Sequence, residues 1–294
     1  MTFHVEEEIQ SQPECWARAA ELAASVAEVL PSTGERVAFV GCGTSWFMSQ
    51  AAAVWRESAG LGESDAFTAD EFPLGRSYDR VVAITRSGTT TEVLTLLGRL
   101  KGKTRTVALT GDLDTPVVDA ADDIVDLSFA DEKSVVQTRF ATTVLALLRT
   151  HFGHDAAALV EGARVALTTE LTEAMTAAEQ VTFVGRGAAF GIANEAALKF
   201  RESSSSWAES YPAMDYRHGP ISIAAPGRVV WCFGPAPDGL AEQVADTGAT
   251  FLEHGTDPLV DLVLAQRWAI ARAIGLGLNP DQPRSLTRSI VLDG

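Results

Sequence analysis

Cysteine, histidine and basic side chains are all scarce in this chain, and each scarcity closes a possibility. The three cysteines, Cys15, Cys42 and Cys232, lie far apart with no Cys-x-x-Cys spacing. This argues against a disulfide framework and a zinc site, and implies a reduced interior. The five histidines include no His-x-x-x-His pair, so no tightly held structural metal is expected and no cofactor is called for. Lys and Arg number 23 against 39 Asp and Glu, for a net charge of −16. With no basic patch and no helix-turn-helix segment, nucleic acid is not an expected partner. No apolar run approaches the roughly 20 residues of a membrane span. The opening MTFHVEEEIQ lacks the basic region and apolar core of a signal peptide, so a cytoplasmic location without membrane contact is expected. A small anionic ligand stays open, because backbone amides can cradle one locally whatever the net charge.

What is present is a pattern written twice. Val37-Ala38-Phe39-Val40-Gly41-Cys42-Gly43 returns as Val181-Thr182-Phe183-Val184-Gly185-Arg186-Gly187, an offset of 181 − 37 = 144 residues. Each is a short apolar run closed by Gly-x-Gly, as in a buried parallel strand, and each leads into an Ala-rich helical stretch, Ser45–Ser58 and Ala188–Glu202. Strand-type runs follow at Arg80–Thr85, Thr106–Thr110, Ile124–Leu127, Val229–Phe233 and Thr250–Leu252. Helical patterns cover Thr90–Leu100, Val135–His151 and Leu259–Gly275. The alternation predicts an α/β fold of two similar doubly wound parallel-sheet domains, 1–160 and 161–294. The junction Asp155–Ala178 is expected to be helical, and Ser289–Leu292 strand-like. Trp46, Trp207 and Trp268 are read as packing residues, and Ser203–Ser206 as either a helix terminus or a binding loop.

Two loops draw the chemistry. Gly41–Ser45 lacks the third glycine of a dinucleotide fingerprint, because Trp46 stands there. The next strand ends in Thr85-Arg86-Ser87-Gly88-Thr89-Thr90-Thr91, dense in hydroxyls at a helix start. One or two hydroxyls would be explained by capping, whereas five, with an arginine fork, point to a phosphate. In the second half, Glu195, Lys199 and Glu202 fall on one helical face at spacings of four, three and seven, ahead of His218-Gly219-Pro220. A lone Glu-x-x-x-Lys is usually a solvated pair, so the phosphate loops decide how this face is read.

Taken together, these blocks resemble the tandem sugar-isomerase (SIS) family. They are similar to the isomerase half of glucosamine-6-phosphate synthase and to galactosamine-6-phosphate-type deaminase/isomerases. The resemblance implies flavodoxin-like three-layer domains and a phosphorylated-sugar ligand. It implies that Cys42, Gly43, Thr44, Ser45, Thr85, Arg86, Ser87, Gly88 and Thr90 hold the sugar 6-phosphate. Glu202 would move a proton between C1 and C2, and His218 would serve ring opening from the neighbouring subunit of a homodimer with shared active sites. Glu195 and Lys199 would close the site, and Arg288 stands where the synthase has an imine-forming lysine. A guanidinium stays protonated and cannot be that nucleophile, so Arg288 is expected to stabilise an oxyanion instead. No glutaminase segment is seen, and glutamine hydrolysis is not expected.

Three function classes compete. The first is an amino-sugar or ketose 6-phosphate isomerase or deaminase, the second a deglycase splitting a sugar phosphate from an amino-acid amine. The third is a non-catalytic phosphosugar-binding protein. The presence of both Glu202 and His218 favours an enzyme, and aldose–ketose proton transfer is the reading taken forward.

Overall fold

The computed structural model describes residues 2–292. The strands are β1 (Val37–Gly41), β2 (Ser64–Thr68), β3 (Arg80–Thr85), β4 (Arg105–Thr110) and β5 (Asp123–Asp126), then β6 (Gln180–Gly185), β7 (Ala208–Pro212), β8 (Arg228–Phe233) and β9 (Thr250–Leu252). The first-half helices are α1 (His4–Gln10), α2 (Gln12–Ala23), α3 (Thr44–Ser58), α4 (Thr91–Leu100), α5 (Val117–Ala120) and α6 (Arg139–His151). Then come α7 (Ala157–Thr168), α8 (Glu173–Ala177), α9 (Ala188–Ser204), α10 (Leu240–Ala245) and α11 (Pro258–Gly275). Among the described residues, no helix is long and apolar enough to cross a membrane.

The strands form two parallel sheets, in the orders β2-β1-β3-β4-β5 and β7-β6-β8-β9. β1 and β3 are buried along their whole length, which is why their sequences are unbroken apolar runs. The chain leaves β1 toward one edge and β3 toward the other, so the first sheet reverses direction between them. A crevice outside the carboxyl ends of the strands opens at such a point. One apolar core runs between the two sheets through Phe39, Phe140, Phe183, Trp231 and Trp268. Smaller clusters cover the far faces, around Val40, Val81 and Leu97 on the first sheet and Val184, Val230 and Leu240 on the second.

Two matched glycines make both strand-to-helix turns. Gly43 has φ 55° and ψ −124°, and Gly187 has φ 55° and ψ −128°, a region closed to most side chains. The helices they launch, α3 and α9, pack against each other. A Cβ on Gly191 of α9 would lie 2.7 Å from Phe47 O of α3, and Asn194 Nδ2 donates to Gln50 Oε1 at 2.8 Å. This close contact brings the α9 face to the start of α3.

Several expectations change. β2 and β7 carry no clear strand pattern, because each is an edge strand, mostly half-buried, paired on one side only. Helix α6 begins at Arg139 rather than at Val135, since Glu132 Oε1 accepts from the amides of Thr138 and Arg139 and caps it there. The Asp155–Ala178 junction is two helices, α7 and α8, the second opened by Thr172, whose hydroxyl accepts from Met175 N. Ser289–Leu292 is not a strand, although Thr91 N donates to Ile290 O at 3.1 Å. Trp268 packs in the core, but Trp207 is 73% exposed and donates to Glu209. The serine run is a helix end: α9 stops at Ser204, and Ser205 turns left-handed at φ 51°.

Candidate active site

Both phosphate-type loops sit at the reversal point, at the carboxyl ends of β1 and β3. In the first loop, Thr44 and Ser45 are buried, and Gly43 O accepts from Trp46 N and Phe47 N as α3 begins. In the second loop, Gly88 has φ 63°, and a Cβ there would fall 2.0 Å from Thr115 Oγ1. Ser87 Oγ accepts from Thr89 N at 3.3 Å, and Thr85 Oγ1 is buried without a partner. Thr90 caps α4 by backbone geometry alone, leaving its hydroxyl uncommitted to the helix. Hydroxyls and backbone donors at two helix starts form a cradle suited to an anion. Burial pushes the Cys42 thiol up to about 11, so at neutral pH this residue contributes backbone and not a thiolate.

Arg86 does not offer the phosphate fork expected of it. Its side chain is buried, with Nη1 donating to Ser134 O at 3.0 Å and Nη2 to Val135 O at 3.1 Å and Arg288 O at 3.2 Å. The Glu132 carboxylate lies 3.7 Å from Nη1. Burial works to lower the guanidinium's pKa, and Glu132 opposes it. The fork is engaged with carbonyls inside the fold, binding the β3 loop to residues 132–135 and to the tail. Arg288 also departs from expectation. Its Nη2 donates to Asp131 Oδ1 at 2.6 Å and its Nη1 to Glu132 O, so the charge assigned to a sugar oxyanion is already paired. The tail nevertheless reaches the cradle: Thr89 Oγ1 donates to Ser289 Oγ at 2.9 Å. Asp131 and Glu132 escaped the sequence reading because they lie in an irregular segment with no periodicity, and Ser289 entered it only as the start of a strand-like run.

The α9 face closes on the first loop. Lys199 Nζ is 2.5 Å from Glu202 Oε2, 3.3 Å from Glu195 Oε1 and 3.0 Å from Thr44 Oγ1. The Thr44 hydroxyl in turn donates to Glu195 Oε1 at 3.2 Å. One ammonium therefore faces two carboxylates, with a hydroxyl of the other half between. Glu195 is fully buried, and its Oε2 has no partner. Burial raises its pKa to about 7, with Lys199 working against that rise and Glu202 adding to it. For Lys199, burial works to lower the pKa, but the two carboxylates outweigh it and hold the ammonium above the usual lysine range. The Glu202 side chain is 20% exposed, whereas those of Lys199 and Glu195 are 1% and 0%. Glu202 is therefore the member of the three that solvent reaches.

Sequence similarity sets this site in context. The chain is 29% identical over 320 residues to the glutamine–fructose-6-phosphate aminotransferase (isomerizing) of Halobacterium salinarum, covering 90% of this chain and 53% of that one. This chain is homologous to the isomerase (SIS) domain of such aminotransferases. It spans about half the length of the curated relatives it matches. Among solved structures, glucosamine-6-phosphate deaminase of Thermotoga maritima superposes with a TM-score of 0.81 at 23% identity, over 98% of this chain and 100% of that one. Tagatose-6-phosphate ketose/aldose isomerase of Escherichia coli gives 0.79 at 17% identity, over 99% and 96%. At these identities the two structures show a shared fold. No protein-family model matches the chain.

Within this fold, the chain gathers Thr44, Glu195, Lys199 and Glu202 in one cluster and sets Ser87, Gly88 and Thr90 on the neighbouring loop. His218 stands apart from that cluster. It ends a short 3-10 turn after β7, is exposed, and makes no hydrogen bond among the described residues.

Proposed function

We propose that the protein is a sugar-phosphate isomerase or deaminase acting on an amino-sugar or ketose 6-phosphate. The observation that carries this reading is the Lys199 ammonium held between Glu195 and Glu202 beside the β1–α3 loop. In this reading the 6-phosphate lies against the amides and hydroxyls of Cys42–Ser45 and Thr85–Thr90. Glu202, the exposed member, takes the proton from C2 of the open-chain aldose and returns it to C1. Lys199 pairs with Glu202 and orients it, and Glu195 supplies the second oxygen ligand that makes the buried ammonium tolerable. Arg86 and Arg288 act on the loop and tail rather than on the sugar. We further read the chain as two similar SIS units, 1–160 and 161–294, in a cytoplasmic homodimer. The exposed His218 then faces a neighbour's site.

The test is to incubate the protein with a panel of hexose and hexosamine 6-phosphates in deuterated water. Ketose formation, ammonia release and deuterium at the sugar carbons are followed. Turnover or exchange on at least one phosphorylated sugar, and none on its unphosphorylated form, is expected. Binding without exchange on every sugar would leave a phosphosugar-binding protein and defeat the enzymatic reading.

A further inference from the structure

A cavity of about 550 Å³ lies between α7 and α11, and no residue lining it belongs to the candidate active site. Leu159, Val165 and Leu264 form apolar walls, and Arg149, Asp257 and Asp261 stand among its polar lining. Arg149 comes from α6, so both halves of the chain contribute. A cavity of this size and lining is in the range of small-molecule sites.

The polar lining carries two unmet groups of opposite kind. Arg149 Nη1 donates to Asp257 Oδ2 at 2.7 Å and Oδ1 at 2.8 Å, and its guanidinium lies over the Trp55 ring, 4.6 Å from the centroid. The ion pair and the ring hold the guanidinium in place. Nε is nevertheless buried without a hydrogen-bond partner, and Nη2 makes no hydrogen bond among the described residues. Nε and Nη2 share an edge on which a guanidinium grips a carboxylate with two parallel bonds. On the other side, Asp261 is 3% exposed. Its Oδ1 accepts from Thr256 Oγ1 at 2.5 Å and lies 3.2 Å from His254 Nδ1, while its Oδ2 has no hydrogen-bond partner. A buried carboxylate oxygen without a donor is costly, and so is a buried N–H without an acceptor.

The first turn of α11 brings the two groups together. Asp257 caps the helix by accepting from Leu259 N, and Asp261 N donates to Asp257 O at 3.0 Å. Side chains four residues apart on a helix have Cβ atoms about 5–6 Å apart. The cation tied to Asp257 is therefore a neighbour of the Asp261 carboxylate, and an acid and an amine borne on one carbon can meet both. One arginine stands against Asp155, Asp257 and Asp261 on the lining, which disfavours an acid that lacks the amine.

We propose that this cavity binds a free α-amino acid with an aliphatic side chain. Its carboxylate takes the Nε–Nη2 edge of Arg149, its ammonium donates to Asp261 Oδ2, and its side chain lies against Leu159, Val165 and Leu264.

Calorimetric titration of the full chain with leucine, alanine, 3-methylbutylamine and 4-methylpentanoate tests this, reading binding independently of any turnover of sugar phosphates. Leucine is expected to bind most tightly, with the amine and the acid each at least roughly tenfold weaker. Arg149→Lys keeps a cation for Asp257 but not the two-donor edge. It is expected to weaken leucine roughly tenfold and to leave 3-methylbutylamine unchanged. Asp261→Asn is expected to weaken leucine by a similar factor and to leave 4-methylpentanoate no weaker. Equal affinity for leucine and 3-methylbutylamine overturns the proposal, as does an absence of binding by both leucine and alanine at millimolar concentration. If Arg149→Lys does not fold, equal leucine affinity in the native chain and in Asp261→Asn overturns it instead.

Discussion

Lys199 Nζ lies 2.5 Å from Glu202 Oε2, joining a buried ammonium to a carboxylate that solvent can still reach. The ion pair holds Glu202 at the mouth of the cluster. Glu202→Gln preserves shape and hydrogen bonding but removes the base. Proton exchange at the sugar carbons is expected to fall by roughly a hundredfold or more. Affinity for the sugar phosphate, measured by calorimetry, is expected to change little. Retained deuterium incorporation in this variant would transfer the proton to another residue, Glu195 being the nearest candidate.

Glu195 gives stability a pH dependence of definite sign. Folding raises its pKa to about 7, so between the ordinary carboxylate range and neutrality the folded chain holds a proton that the unfolded chain has lost. Where the native state binds more protons, stability falls as pH rises. This contribution therefore declines from about pH 4.5 to about pH 7 and then levels off. In Glu195→Gln the decline is absent, so the variant gains on the native chain across that window, by up to about 3 kcal/mol. Urea denaturation at half-unit pH steps reads the difference directly. A constant difference across the window would show that Glu195 is ionised throughout.

Imine chemistry at Lys199 is not expected. An amine must be neutral to attack a carbonyl, whereas Lys199 is buried between two carboxylates and held above the usual lysine range. Borohydride added during turnover should leave the protein mass unchanged. An added mass mapped to Lys199 would overturn this assignment and make the residue a nucleophile.

The parts of this site that could be read from sequence are those whose geometry is local. The spacing of Glu195, Lys199 and Glu202 places them on one face of α9 in any helix, and Gly41–Gly43 and Gly185–Gly187 follow apolar runs that only buried parallel strands produce. The edge strands β2 and β7 were not legible, because a mostly half-buried strand with one neighbour keeps no distinctive pattern. Nor was it legible that Glu195 is the buried carboxylate and Glu202 the accessible one. That depends on Thr44 and α3, which approach from 151 residues away in the chain. The internal contacts of Arg86 were not legible for the same reason. Its loop position fits a phosphate ligand, and the carbonyls that engage it come from residues 134, 135 and 288.

The engagement of Arg86 separates a structural role from a binding role by measurement. Its guanidinium holds three carbonyls and stands near Glu132, a carboxylate that is itself fully buried with Oε2 lacking a hydrogen-bond partner. Arg86→Met removes the cation and leaves that carboxylate without its nearest positive charge, a change that typically costs about 3–5 kcal/mol. The loss should appear in the melting temperature of the ligand-free protein. Arg86→Lys is expected to recover little, because a point charge on a flexible stem cannot serve carbonyls from two segments at once. A phosphate ligand would behave differently: the ligand-free melting temperature would hold, affinity for a hexose 6-phosphate would drop, and lysine would restore part of it. Observing that second pattern would return Arg86 to the phosphate cradle. The first pattern makes it the internal tie that holds the β3 loop under the tail, with Arg288 contributing its carbonyl to that tie and its guanidinium to Asp131.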